Sequence, residues 1–112
     1  MATTDTLSYM QECVWEWTHN KGWEPNPDRS FGEELALIHS EVSEALEAYR
    51  VRSFDRYTTP EGKPDDVASE FADILIRLLH YSQAHDIDLT YEFWRKMQYN
   101  WTRAYRHGNK RA

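Results

Sequence analysis

A single cysteine, Cys13, stands in the 112 residues, so no disulfide can close within the chain and the fold has to rest on packing. Such thiol poverty suits a reducing compartment, and the cytoplasm is the expected location. Long apolar runs are missing too. Nothing approaches the roughly 20 residues that a bilayer crossing requires, and Met1 to Leu7 carry neither the basic segment nor the apolar stretch of an export signal. Neither export nor membrane insertion is expected. Basic charge is in short supply: 13 Lys and Arg face 19 Asp and Glu, a formal charge of −6. That is the wrong sign for a protein that grips a nucleic acid polymer through clustered cations. No GxxxxGK loop and no GxGxxG turn occurs, which removes the common glycine-rich phosphate-binding folds. No segment alternates apolar and polar residues between turn signals as a strand would.

What is present is a globular composition, 40% hydrophobic and 29% charged, with an aromatic share of 14% that includes five Trp and seven Tyr. The length allows one domain spanning 1–112. Three- and four-residue spacing predicts four helices. The first runs from about Thr4 or Asp5 to Asn20 on Leu7, Met10, Val14 and Trp17, with Trp15 and Trp17 expected in the core and Gly22 as its stop. Pro25 and Pro27 make the next segment a loop. Ser30 and Glu33 form a capping-box pattern that starts the second helix near Phe31 and carries it to about Arg52. Thr58, Pro60, Gly62 and Pro64 mark a polar connection. Asp65 or Asp66 caps a third helix ending near Ala84, and Asp88 caps a fourth running to about Arg106. A basic tail, about 104–112, follows without an apolar face.

The second helix, wound at about 100° per residue, gathers Leu35, Ile38, Val42, Ala45, Leu46 and Tyr49 into one arc with Glu41 and Glu44 at its edge. On the third, Glu70 and Asp73 flank the arc of Val67, Phe71, Ile74, Leu75 and Leu78. Carboxylates at (i, i+3) repel, and more so where water is scarce. If the two helices pack antiparallel, four acids converge, and a hard divalent cation with oxygen ligands is their natural partner. Zinc, which favours Cys and His ligands, is disfavoured. Glu33 and Glu47 fall away from the arc and need no function. On the fourth helix Lys96, Asn100 and Arg103, spaced by four and three, share a face.

The segments GEELALIHSEVSEALEAYR, ASEFADILIRLL and IDLTYEFWRKMQYNWTRAYRHGNKRA resemble the MazG-like branch of the all-α nucleoside triphosphate pyrophosphohydrolases. Relatives in that superfamily include dimeric dUTPases, dCTP pyrophosphatases and phosphoribosyl-ATP pyrophosphohydrolases. The resemblance spans roughly Gly22 to Lys110. Its hallmark is an ExxE pair on one helix and an ExxD pair on the next, here Glu41 with Glu44 and Glu70 with Asp73. It implies an all-α four-helix bundle completed by homo-oligomerisation as a dimer or tetramer. It further implies that the four acids hold Mg²⁺, with Mn²⁺ as a substitute. Hydrolysis of a nucleoside triphosphate between the α and β phosphates follows, with Glu41 or Glu44 as the base that takes the proton from water. Lys96 and Asn100 would lie beside phosphates and sugar, with Arg103 suited to phosphate through its fork of donors. Trp23 would stack on the base. Arg77, one turn after Asp73, would offset acid charge or touch phosphate. Two departures stand out. Ser43 replaces a Gly common between the ligand Glu residues, and Arg77 occupies a position where dCTP pyrophosphatases tend to carry an aromatic, which weighs against a cytosine preference.

Two other classes compete. A helical interaction module could bind metal or nucleotide without turnover. A di-iron protein is hinted at by the ExxH of Glu16 and His19, but such sites need two of these motifs and two further Glu. His19 reads more simply as a surface or loop-contacting histidine. His39, His80 and His85 show no ligand spacing to one another.

Overall fold

Local hydrogen-bond chemistry sets most helix boundaries. In the computed structural model, which describes residues 6–103, Thr6 Oγ1 accepts from the Tyr9 amide at 3.2 Å and opens helix α1, Leu7–Asn20. The expected starts Thr4 and Asp5, and the basic tail 104–112, lie outside the described residues. Gly22, at φ +77°, takes the left-handed conformation that stops α1. The chain then turns back on the helix it has just left: the amides of Trp23 and Glu24 both donate to the Thr18 carbonyl, at 2.8 and 3.3 Å. Thr18 is fully buried beneath this turn.

Helix α2, Phe31–Arg52, is capped by Ser30, whose Oγ accepts from the Glu33 amide at 3.1 Å. Only this half of the expected capping box forms. The complete box lies instead at the start of α3, Val67–Ala84: Asp66 Oδ1 accepts from the Ser69 amide, and Ser69 Oγ accepts from the Asp66 amide, each at 2.9 Å. The polar connection between α2 and α3 is ordered by an isolated antiparallel bridge between Thr58 and Pro64. It is anchored by Asp66 Oδ2, which accepts from the Tyr57 amide at 2.8 Å and from Arg56 Nε at 3.1 Å. Helix α4, Leu89–Thr102, begins on Asp88 as expected and ends before the expected Arg106, which lies outside the described residues.

Among the described residues there are four helices and no strand. Helix α3 packs on both α1 and α2, whereas the main contact of α4 is a smaller one with α1. The predicted core of α2 is corrected by its packing. Its buried or half-buried line runs through Glu34, Ile38, Glu41, Ala45, Ala48 and Arg52, a three- and four-residue repeat. Leu35, Val42, Leu46 and Tyr49 stand about half exposed. Two lines on α2 have helical period, and α3 meets the one bearing Glu41. Phe71, predicted as core on α3, is 64% exposed. Leu79, Tyr81 and Ala45 are the buried apolar residues among those described.

Candidate functional site

Helix α2 turns Glu41 and Glu44 toward α3, and α3 returns Glu70. One carboxylate oxygen from each of the three lies within 4.8 Å of the others, with Glu41 and Glu70 buried and Glu44 exposed. The electrostatics record the crowding. A hydrogen bond with Glu41, followed by partial burial and the charge of Glu41, holds the Glu44 carboxyl above its ordinary pKa. Burial first, and then the charges of Asp73, Glu44 and Glu41, push Glu70 up. Asp73 is raised by burial and by the charge of Glu41, with Lys63 and Arg77 pulling the other way. Asp73 is not part of the tight trio. It borders Glu41 on the wall of an adjoining cavity, so the expected quartet is three acids plus one neighbour.

That cavity, about 370 Å³, has two chemical characters. Beside Glu41 and Asp73 lies Arg77, which donates from Nε to Glu41 Oε1 at 2.9 Å and from Nη1 to the Tyr81 hydroxyl at 2.8 Å. Arg77 thus offsets acid charge, one of the two roles expected of it. The other lining is aromatic: Trp17 and Trp23 meet edge to face with ring centroids 4.5 Å apart. Trp23 is where the sequence pointed. Trp17 is not core but 40% exposed at the cavity, because the turn onto Thr18 lays Trp23 against its outer side. A second cavity, about 250 Å³, is lined by Glu44, Glu70 and Lys63.

Lys96, Asn100 and Arg103 are not brought to the carboxylates within one chain. The turn after α3 sends α4 along α1, and none of the three lines either cavity. Lys96 Nζ instead lies 5.5 Å from the centre of the Tyr99 ring. Glu47 is also reassigned: it pairs with Arg50 at 3.9 Å and lines the second cavity, which leaves Glu33 as the plain surface glutamate. His19 donates from Nδ1 to the Trp15 carbonyl at 2.8 Å and joins no ligand group among the described residues, so the ExxH motif is local structure.

Four site residues escaped sequence reasoning. Arg29 and His80 line the first cavity, Lys63 lines the second, and Glu24 holds His80 at 2.6 Å. For Glu24 and His80, 56 residues apart, no spacing rule exists. Lys63 was findable only as one of two cations, with Arg56, in the connection preceding the Glu70 helix. Compared with protein-family models, with curated proteins and with solved structures, the chain matches none.

Proposed function

We propose that this chain is a nucleoside triphosphate pyrophosphohydrolase of the MazG-like type that needs a divalent cation and releases a nucleoside monophosphate and pyrophosphate. The observation that carries the reading is the convergence of Glu41, Glu44 and Glu70 within 4.8 Å beside a cavity with an aromatic wall. The donor set fits Mg²⁺, with Mn²⁺ as a substitute: the ligands are hard carboxylate oxygens, and no Cys or His stands among them. Without a cation, three carboxyl groups this close favour the protonated form. When bound, the metal would neutralise charge on the phosphates and lower the pKa of a water molecule.

The chain's own residues would do the rest. Glu41 or Glu44 takes the proton released as water attacks phosphorus at the α–β bond. Asp73 backs the trio from the cavity wall, Arg29 offers a guanidinium fork to phosphate oxygens, and Arg77, held on Glu41 and Tyr81, offsets the acid charge. Trp23, with Trp17 braced behind it, offers a face to the base. Removal of unusual or surplus nucleotides is the role that suits such a site.

A second copy of the chain would complete the assembly, as a dimer or tetramer. Half-exposed apolar side chains on α2 and α3 need cover, and an α4 from a partner would supply the Lys96 and Asn100 that one chain keeps away from its own acids. The placement of α4 also favours the alternative reading, a helical module that binds metal or nucleotide without turnover. Assay of pyrophosphate release with Mg²⁺, with and without chelator, separates the two. Orthophosphate and diphosphate as products would show the wrong bond; no product from any common or damaged triphosphate would leave the binding module.

A further inference from the structure

His80 and Glu24 have no part in the chemistry just described. His80 sits on α3 two turns beyond Asp73, with its side chain 7% exposed, and its Nε2 lies 2.6 Å from Oε1 of Glu24, whose side chain is 10% exposed. An ionised carboxylate only accepts, so Nε2 carries the proton of this bond. Trp15 and Tyr81 flank the imidazole, with ring centroids 6.3 and 4.9 Å away. Glu24 is fixed in turn through its amide, which donates to Thr18. The other ring nitrogen, Nδ1, has no hydrogen-bond partner among the described residues. Yet no buried side-chain nitrogen or oxygen among the described residues is left unsatisfied. Nδ1 is therefore not sealed from solvent, and His80 is one of the residues lining the cavity.

We propose that His80, oriented by Glu24, reads the edge of the nucleobase and selects a base that carries an exocyclic amino group. The proposal rests on the nucleotide reading above. With the proton on Nε2, Nδ1 presents a lone pair. It accepts from the amino group of cytosine or adenine. A carbonyl at the same place, as on uracil or hypoxanthine, sets acceptor against acceptor, and a buried polar group left unpaired costs more than the bond it replaces would gain. Stacking on Trp17 and Trp23 cannot make this distinction, because every base has a π-face. Glu41 and Arg77 hold each other at the acidic wall, and Arg77 also donates to the Tyr81 hydroxyl. Glu24 is the positioning residue that locks the tautomer.

The test uses the full chain with Mg²⁺ and α,β-methylene analogues of ATP, ITP, CTP and UTP, which bind without being cut at the α–β bond, in calorimetric titrations. Each amino-bearing analogue should bind at least about tenfold tighter than its carbonyl counterpart. His80→Phe keeps the ring bulk and removes the acceptor, so that ratio should fall to about one. Glu24→Gln can donate as well as accept, which frees the proton to move to Nδ1, and the ratio should fall there too. Melting curves without nucleotide establish that each variant is folded; if His80→Phe is not, the ratio in Glu24→Gln decides. A wild-type ratio near one, or an undiminished ratio in the folded variants, overturns the proposal. Selective binding without turnover of the parent triphosphates would overturn the hydrolase reading and uphold base recognition. Failure of all four analogues to bind would overturn both.

Discussion

Glu41 and Glu44 lie three residues apart on one helix, and with Glu70 they bring carboxylate oxygens within 4.8 Å of one another, a crowding of like charges that favours the protonated form. Glu44, Glu70 and Asp73 are all held above the usual carboxylate range. Between the unfolded values near 4 and these raised values, the folded chain binds more protons than the unfolded one. The stability this cluster contributes is therefore fully present below that window and lost as pH rises through it. Replacing Glu44 or Glu70 by Gln, or Asp73 by Asn, should leave melting temperature in chelator at pH 7 equal to or above that of the unsubstituted protein, and the advantage should disappear toward pH 4. The same variants, together with Glu41→Gln, should lose turnover at saturating Mg²⁺ by more than about a hundredfold, beyond the loss typical when a group that merely supports a ligand is removed. Glu33→Gln, on the exposed side of α2, is the control for both measurements. Variants that stay active but melt lower in chelator would show that the acids are structural.

At the scale of elements, Asp66 carries the opposite sign. Acceptance from the Tyr57 amide, then from the Ser69 amide, holds its carboxyl well below the usual range, with Arg56 adding to the effect. The stability it lends is present above the unfolded value near 4 and lost as pH falls below it. Asp66→Ala leaves the start of α3 and the amide of Tyr57 without their acceptor, and it should lower melting temperature by several degrees at neutral pH. The gap between thermal melts of this variant and those of the unsubstituted chain should stay constant above about pH 5 and begin to narrow as pH falls below about 4. Caps of this kind were legible because they are local: Ser30, Asp88 and the stop at Gly22 each involve partners within four residues. The pairing of Glu41 and Glu44 with Glu70 was legible for a related reason, since two neighbouring helices joined by a short connection bring matching edges together. Which edge of α2 is buried was not legible. Val42 and Leu46 define one helical line and Glu41 and Ala45 another, one residue away, and local periodicity does not say which line meets α3 and which is left for another surface. The Glu24 to His80 contact was out of reach as well, because it depends on the chain folding back over Thr18.

The whole molecule has too little buried apolar surface for its composition. Its radius of gyration of 16.9 Å exceeds the roughly 13 Å of a compact chain of this length. Val42 is 51% exposed, Leu46 49% and Phe71 64%, and on α4 Trp94 is 59% exposed. Monomeric proteins rarely leave so many large apolar groups to water, and a closed symmetric pair is the commonest way to cover them. A stable pair needs about 1,600 Å² of buried surface, which the uncovered line on α2 supplies only together with neighbouring apolar groups. Light scattering at micromolar concentration should therefore give a mass of at least two chains. A charge placed in the middle of the line tests whether this face is the contact. Leu46→Glu adds a carboxylate where α3 does not reach, so the packing of Glu41 and Ala45 is spared, while an interface would have to bury an unpaired charge. The variant should run as a monomer, melt lower and lose turnover if the partner's α4 completes the site; Glu33→Gln should do none of these. A monomeric unsubstituted protein that hydrolyses triphosphate at full rate would sink the assembly argument and leave Lys96 and Asn100 without a part in the reaction.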